Sequence, residues 1–151
     1  MWGDGRDQIF TSVSPEMTME FAFAYEKPWT DLFGMNCYGC CEDMSKKIKE
    51  VKHLTRLRKL SIAPVAYPNI EAIMEEMGGE IVVSYKPNPC YLAVTPWRKD
   101  LMKAELLKVC GLARKYKCSL EILMKTLISL DNDPPRLWEW CEMAAEIAAD
   151  N

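Results

Sequence analysis

Short apolar segments recur four times between Met35 and the end of the chain, and a stretch with helical spacing follows each of them. Alternating strands and helices are typical of a parallel sheet, because two parallel neighbours need a crossover helix between them. The spacing predicts strands over Met35–Tyr38, Leu57–Ala63, Glu80–Lys86 and Leu120–Leu127.

Helix signals flank these strands. Residues 1–13 carry no regular pattern and are expected to form an irregular lead-in. Ser14 and Pro15 open a helix as cap and first helical residue, and Pro28 is expected to kink or end it. Further helices are predicted over Asp43–Lys52, Asn69–Met77, from Pro96 or Trp97 to Lys115, and over Arg136–Ala149.

The predicted strands have two different faces. Side chains alternate along a strand with period two, so Ile81, Val83 and Tyr85 share one face while Ser84 and Lys86 share the other. The second and fourth strands repeat this division, with Lys59 and Ser61, and then Glu121 and Lys125, on the mixed face. The mixed face is either a polar barrel mouth that binds a ligand or a surface exposed to water because half of a barrel is missing.

The pattern therefore predicts an α/β fold, an α(β/α)4 half of a TIM barrel with a parallel sheet and helices on one face. A single domain is expected, with 1–34 as lead-in and first helix and 35–151 as four βα units. Half of a (β/α)8 barrel leaves both sheet edges and one sheet face uncovered. A second half-barrel is therefore the expected partner, either a second copy in a homodimer or a separate N-terminal half.

Composition narrows the classes of function. The chain has 151 residues, 49% of them hydrophobic and 27% charged, as in ordinary globular proteins. A net charge of −3 argues against a nucleic-acid or membrane-surface partner. No signal peptide or membrane span is evident, so a cytoplasmic location is expected. The seven cysteines are an odd number, and several of them fall inside predicted strands or helices, which favours reduced thiols over a disulfide framework.

The sharpest local signal is the segment Cys37-Tyr38-Gly39-Cys40-Cys41-Glu42, at the end of the first predicted strand. Barrel enzymes place their chemistry at this end of the strands. Three interpretations stay open. The cysteines are small apolar residues of a tight turn, or Cys40, Cys41 and Glu42 form a catalytic metal or thiol site with Cys40 and Cys41 as metal ligands, or Cys37 and Cys40 form a redox pair.

A second signal, Lys86-Pro87-Asn88-Pro89-Cys90, follows the third predicted strand at the same end. A lysine on a stiff loop can hold a carboxylate or phosphate, although a solvated turn explains the segment equally well. Tyr38, Lys86, Asn88 and Lys125 are the candidate substrate-binding residues. The single histidine, His53, lies among basic residues and supports no catalytic triad, and no glycine-rich phosphate-binding loop is present.

Several segments together resemble one family. Val13–Met17, Phe33–Glu42, Leu57–Pro64 and Lys86–Pro89 are similar to the C-terminal half of uroporphyrinogen decarboxylase-like proteins, in the branch of the corrinoid-dependent methyltransferases. The resemblance covers nearly the whole chain. It implies a (β/α)8 barrel and methyl transfer between a small methylated substrate and a corrinoid protein or thiol acceptor, with the corrinoid carried on a partner protein.

The resemblance also implies zinc as a possible cofactor. Some members of the branch bind zinc through a His-x-Cys pair on one strand end and a cysteine on the last strand. Here the first position falls in the Cys37–Cys41 segment, which has no histidine, and the last falls near Lys125–Leu127, which has no cysteine. Two alternative functions remain, a non-catalytic half-barrel that binds itself or a partner, and decarboxylation of the uroporphyrinogen type.

Overall fold

The computed structural model describes residues 1–39, 41–125, 127 and 129–150. The chain forms an α/β fold around one parallel sheet, whose five strands lie side by side in the order of the sequence. This is the arrangement of a half TIM barrel, since each right-handed crossover to the next strand places its helix on the same face of the sheet. The strands are β1 (Trp2–Gly5), β2 (Met35–Tyr38), β3 (Leu57–Ile62), β4 (Val82–Tyr85) and β5 (Ser119–Ile122).

In the described part of the chain, six helices connect or follow these strands. Helix α1 consists of three consecutive segments, Pro15–Thr18, the π-helical Met19–Phe23 and Ala24–Thr30. Short 3-10 turns at Ser45–Lys47 and Pro64–Asn69 lead into α2 and α3. The other helices are α2 (Ile48–Lys52), α3 (Ile70–Met77), α4 (Cys90–Ala93), α5 (Lys99–Lys115) and α6 (Pro135–Asp150).

Strand β1 corrects the prediction of an irregular lead-in and makes the sheet five-stranded. It pairs with β2 in parallel register, Gly3 beside Asn36 and Gly5 beside Tyr38. A Cβ atom on Gly3 would lie 2.6 Å from the Phe33 ring, and one on Gly5 would lie 2.9 Å from the Tyr38 ring. The strand therefore needs glycine at Gly3 and Gly5, the positions where an apolar residue would have let the sequence pattern predict a strand.

Of the two outcomes expected at Pro28, a kink or an end of the helix, the end does not occur, because the last segment of α1 continues to Thr30. Proline has no N–H to donate to the carbonyl of Ala24, four residues earlier. Both Ala24 and Pro28 are exposed, so water can solvate that carbonyl. The strands that follow are shorter than predicted: Val82–Tyr85 replaces Glu80–Lys86, and Ser119–Ile122 replaces Leu120–Leu127.

The predicted division of the strands into two faces is confirmed. On the helix side Leu60, Ile62, Val83 and Tyr85 are almost fully buried and form the centre of the core with α3 and α5. On the other side the polar residues of the same strands line a cleft. No described helix is long and apolar enough to cross a membrane.

Candidate small-molecule site on the polar face of the sheet

The polar face carries two lateral rows of side chains, which the strand register brings into line. In the lower row, Asp4 of β1 lies beside Cys37 of β2, and Cys37 lies beside Lys59 of β3. In the upper row, Ser61 lies beside Ser84 of β4, which lies beside Glu121 of β5. Together they line a cleft of about 310 Å³, whose wall is completed by Arg6, Gly39, Lys86 and Leu123.

The carboxylate of Glu121 is held in the cleft by donors from two neighbouring strands. The Ser84 hydroxyl donates a hydrogen bond of 2.5 Å to one of its oxygens, and the Lys59 ammonium donates one of 2.9 Å to the other. These two donors, Ser84 first and Lys59 second, lower the pKa of Glu121 below its ordinary value. Glu121 is therefore ionised, both of its oxygens accept hydrogen bonds, and it is unsuited to act as a proton donor.

Lys86 lies in the cleft, as the polar face predicts. Its ammonium donates to the hydroxyl of Ser61, which is a neutral partner. Lys59 is paired with Glu121, and Arg6 is paired with Asp4 at 2.5 Å. Among the described contacts of the cleft, Lys86 is thus the cation without a carboxylate partner, which favours a small ligand with one negative charge.

Lys125 and Cys41 meet above the carboxyl ends of the strands. The Lys125 ammonium donates to the Cys41 sulfur at 2.8 Å. Cys41 follows β2 and Lys125 follows β5, so two strands lie between the strands that carry them. At about 4.8 Å per strand, the segments after β2 and β5 must reach towards each other across the sheet. The contact therefore forms part of a roof over this end of the sheet.

Tyr38 lies on the opposite face from the cleft. It is buried, stacks edge-on against Phe23 at 5.4 Å between ring centroids, and has its hydroxyl beside Asp7. Burial and Asp7 raise the pKa of the Tyr38 hydroxyl. This residue was predicted to bind substrate, but its position in the strand register, beside Leu60, points it into the core.

Asn88 has a structural position in the loop after β4. Its side-chain oxygen accepts a hydrogen bond from the backbone N–H of Cys90 at 3.0 Å, and its backbone N–H donates to the carboxylate of the buried Glu105 at 3.1 Å. Glu105 also accepts from the Tyr85 hydroxyl at 2.6 Å. Burial raises the pKa of Glu105. Asn88 is not among the described residues that line the cleft.

Glu42 belongs to a buried carboxyl cluster with Asp7 and Glu26, between the helices and the ends of β1 and β2. Burial, followed by the nearby Asp7, raises the pKa of Glu42, and the same two causes raise the pKa of Glu26. The Thr11 hydroxyl donates to Glu42 at 3.3 Å. Glu42 and Cys41 are neighbours in sequence, yet their described contacts lie in different parts of the fold.

The zinc prediction finds no complete donor set among the described residues. No three His, Cys, Asp or Glu side chains of that part of the chain come together in a way that could hold a metal ion. The Lys125 ammonium beside Cys41 would repel a cation there. Cys40, predicted as a ligand and catalytic residue, lies outside the described residues.

The redox interpretation required a cysteine with a lowered pKa. Cys37 lines the cleft on β2, and burial instead raises the pKa of its thiol. The other half of the predicted pair, Cys40, lies outside the described residues.

No protein-family model, curated protein or solved structure matches the chain. The resemblance to uroporphyrinogen decarboxylase-like proteins therefore stays a prediction based on the sequence segments named above.

Proposed function

We propose that the chain is part of a barrel enzyme of the uroporphyrinogen decarboxylase-like type, and that a second half-barrel completes it. The proposed reaction is the transfer of a methyl group between a small methylated substrate and a corrinoid protein or thiol acceptor. The observation that carries this proposal is the 2.8 Å contact between Lys125 and Cys41, at the strand ends where barrel enzymes react. The half-barrel fold and the polar cleft support it.

In this proposal Lys86 binds the anionic group of the substrate. A compact ammonium on the wall of a partly enclosed cleft attracts a carboxylate, sulfonate or phosphate. The Lys59–Glu121 pair holds the floor of the cleft in one geometry. The ligand is thereby oriented with its neutral, methylated end towards the roof.

Lys125, whose ammonium contacts the sulfur of Cys41, donates and accepts the proton. When the bond between methyl carbon and heteroatom breaks, the electron pair stays on the heteroatom, which takes a proton from the Lys125 ammonium. In the reverse direction, Lys125 takes that proton back from the heteroatom of the acceptor. A corrinoid bound to the partner protein would supply or take up the methyl group.

The test measures methyl transfer between free cob(I)alamin and a set of small methylated carboxylates, by the change in corrinoid absorbance. The Lys125→Met and Cys41→Ser variants should lose the transfer, while Lys49→Met, at an exposed position on α2, should keep it. Transfer that is unaffected by both changes would refute the assignment of these residues. No transfer by the wild type, with or without candidate corrinoid proteins, would refute the reaction.

A second candidate function is a non-catalytic half-barrel that acts by association. The observation in its favour is the set of large apolar side chains exposed along α1, among them Phe21, Tyr25 and Trp29. Calorimetric titration with acetate and phosphate discriminates the two, because an association module has no need of a cleft that binds small anions.

A further inference from the structure

Helix α1 and the turn that follows it carry an exposed row of large apolar side chains, called here the aromatic stripe: Met17, Phe21, Tyr25 and Trp29 of α1, and Leu32 just beyond its end. The first four recur every fourth residue, so they line up along one side of the helix. Tyr25 is 76% exposed, Trp29 54% and Phe21 50%. At about 200 Å² for a whole aromatic side chain, these three leave roughly 350 Å² in water. Apolar patches of this size on a soluble protein are often interaction sites.

The stripe lies on the side of α1 that faces the free edge of the sheet. The opposite side of the helix carries Met19, Phe23 and Lys27. It faces Glu50 of α2 and Leu54, which follows α2. Helix α2 follows β2, so the stripe points away from β2 and towards the unpaired edge of β1.

The other end of the sheet carries an apolar groove, whose lining also includes the charged Arg114 of α5. A cavity of about 530 Å³ lies over the edge strand β5, between the last two helices. Leu120 and Ile122 of β5 face it, and α6 contributes small side chains. The residues of α6 that line the groove are Trp140 and four small ones, Cys141, Ala144, Ala145 and Ala148.

The topology of the sheet would bring these two surfaces together. In a parallel sheet of βα units, the helix after each strand packs beside the helix after the neighbouring strand. If β1 of a second copy pairs with the free edge of β5, the α1 that follows it lies beside α6. The large side chains of the stripe then face the small side chains of the groove.

We propose that the aromatic stripe of one copy docks in the apolar groove over β5 of a second copy, in a head-to-tail contact. The contact rests on the half-barrel part of the proposed function and not on the reaction. Both surfaces belong to this chain, and a protruding row of aromatic residues complements a row of alanines. Two such contacts close a ring of two copies, because a head-to-tail interface forms a ring when its rotation closes.

Light scattering on the eluting protein tests the contact. We expect the wild type at twice the 17.4 kDa mass of the chain or as a larger assembly, and Tyr25→Glu and Ala145→Glu as monomers with unchanged circular dichroism. The matched control is Ala149→Glu, an exposed position on the same helix outside the groove, which should assemble like the wild type. A monomeric wild type overturns the proposal.

Mixing the two variants separates this contact from other dimers. One intact contact remains when the groove of the Tyr25→Glu chain receives the stripe of the Ala145→Glu chain, so the mixture should form a one-to-one dimer. A mixture that stays monomeric overturns the proposal. So does an Ala145→Glu protein that still dimerises by itself, because stripe would then pair with stripe. Methyl transfer is assayed separately, so an assembled but inactive protein refutes the reaction alone.

Discussion

The ammonium of Lys59 on β3 lies 2.9 Å from the carboxylate of Glu121 on β5, with the whole of strand β4 between their backbones. Ser84 of β4 donates to the same carboxylate, so three neighbouring strands are joined on the polar face. This network neutralises Lys59 and leaves Lys86 as the cation available to a ligand. Its parts can therefore be tested by their opposite effects on anion binding.

Removing the charge of Glu121 should strengthen anion binding. In Glu121→Gln the Lys59 ammonium loses its carboxylate partner, and the cleft gains a net positive charge. We expect the affinity for inorganic phosphate or acetate to rise several-fold in isothermal titration calorimetry, and more at low ionic strength. Glu146→Gln, an exposed position on α6, is the control for net charge alone. An equal rise in both variants would contradict a local effect.

Removing the charge of Lys86 should do the reverse. Hydrogen bonds to charged groups contribute about 1.5–3 kcal/mol, so Lys86→Gln should weaken binding of the same anions by about tenfold or more. Lys49→Gln makes the same chemical change at an exposed position on α2 and should leave the affinity unchanged. Unchanged binding in Lys86→Gln would exclude this lysine as the anion site.

The contact between Lys125 and Cys41 should control the reactivity of the thiol. The thiolate is the nucleophile, and a neighbouring ammonium stabilises it. We expect Lys125→Met to slow alkylation of Cys41 by iodoacetamide about tenfold at neutral pH. Mass spectrometry of the digested protein measures the rate, with the exposed Cys90 as an internal control. A slowing shared by Cys90 would point to a change in overall exposure.

The buried carboxyl cluster should make the protein less stable as the pH rises. The pKa of Glu42 and that of Glu26 are raised in the folded state above the ordinary value of 4.5. The unfolded chain therefore releases these protons first, so their stabilising contribution is complete below about pH 4.5 and is lost as the pH rises through the folded pKa.

The Glu42→Gln variant tests this cluster. It should be more stable than the wild type at neutral pH, with a smaller decline in urea midpoint as the pH rises from about 4.5. Glu142→Gln, on the exposed side of α6, should keep the wild-type decline. A steeper decline in Glu42→Gln would mean that the carboxylate is stabilised in the fold after all.

The sequence predicted the two faces of the sheet better than it predicted the number of strands and the residues at which they end. Alternation placed Lys59, Ser61 and Glu121 on the polar face, because period two follows directly from strand geometry. It could not reveal β1, whose glycines are required by the Phe33 and Tyr38 rings, residues distant in sequence. The strands were also predicted to be longer than they are, because pairing with a neighbouring strand, and not the length of the apolar run, decides where a strand ends.

The buried carboxylates were the largest omission at the site. Glu105 lies in an amphipathic helix and reads as a surface residue, yet it accepts hydrogen bonds from Tyr85 and Asn88 and fixes the loop after β4. Asp7 and Glu26 gave no signal either, because nothing in their spacing shows that they meet Glu42. Burial of Asp7 and Glu26 depends on the packing of α1 against β1, a strand that the sequence did not predict.

The order of the strands also sets how readily each strand exchanges its amide hydrogens with solvent. Strand β3 has a paired neighbour on each side, and its Leu60 and Ile62 are almost fully buried. Strand β1 is paired on one side only and packs two glycines where other strands pack large side chains. Exchange under native conditions should therefore start at β1 and reach β3 last, since openings of low free energy occur where few apolar contacts break.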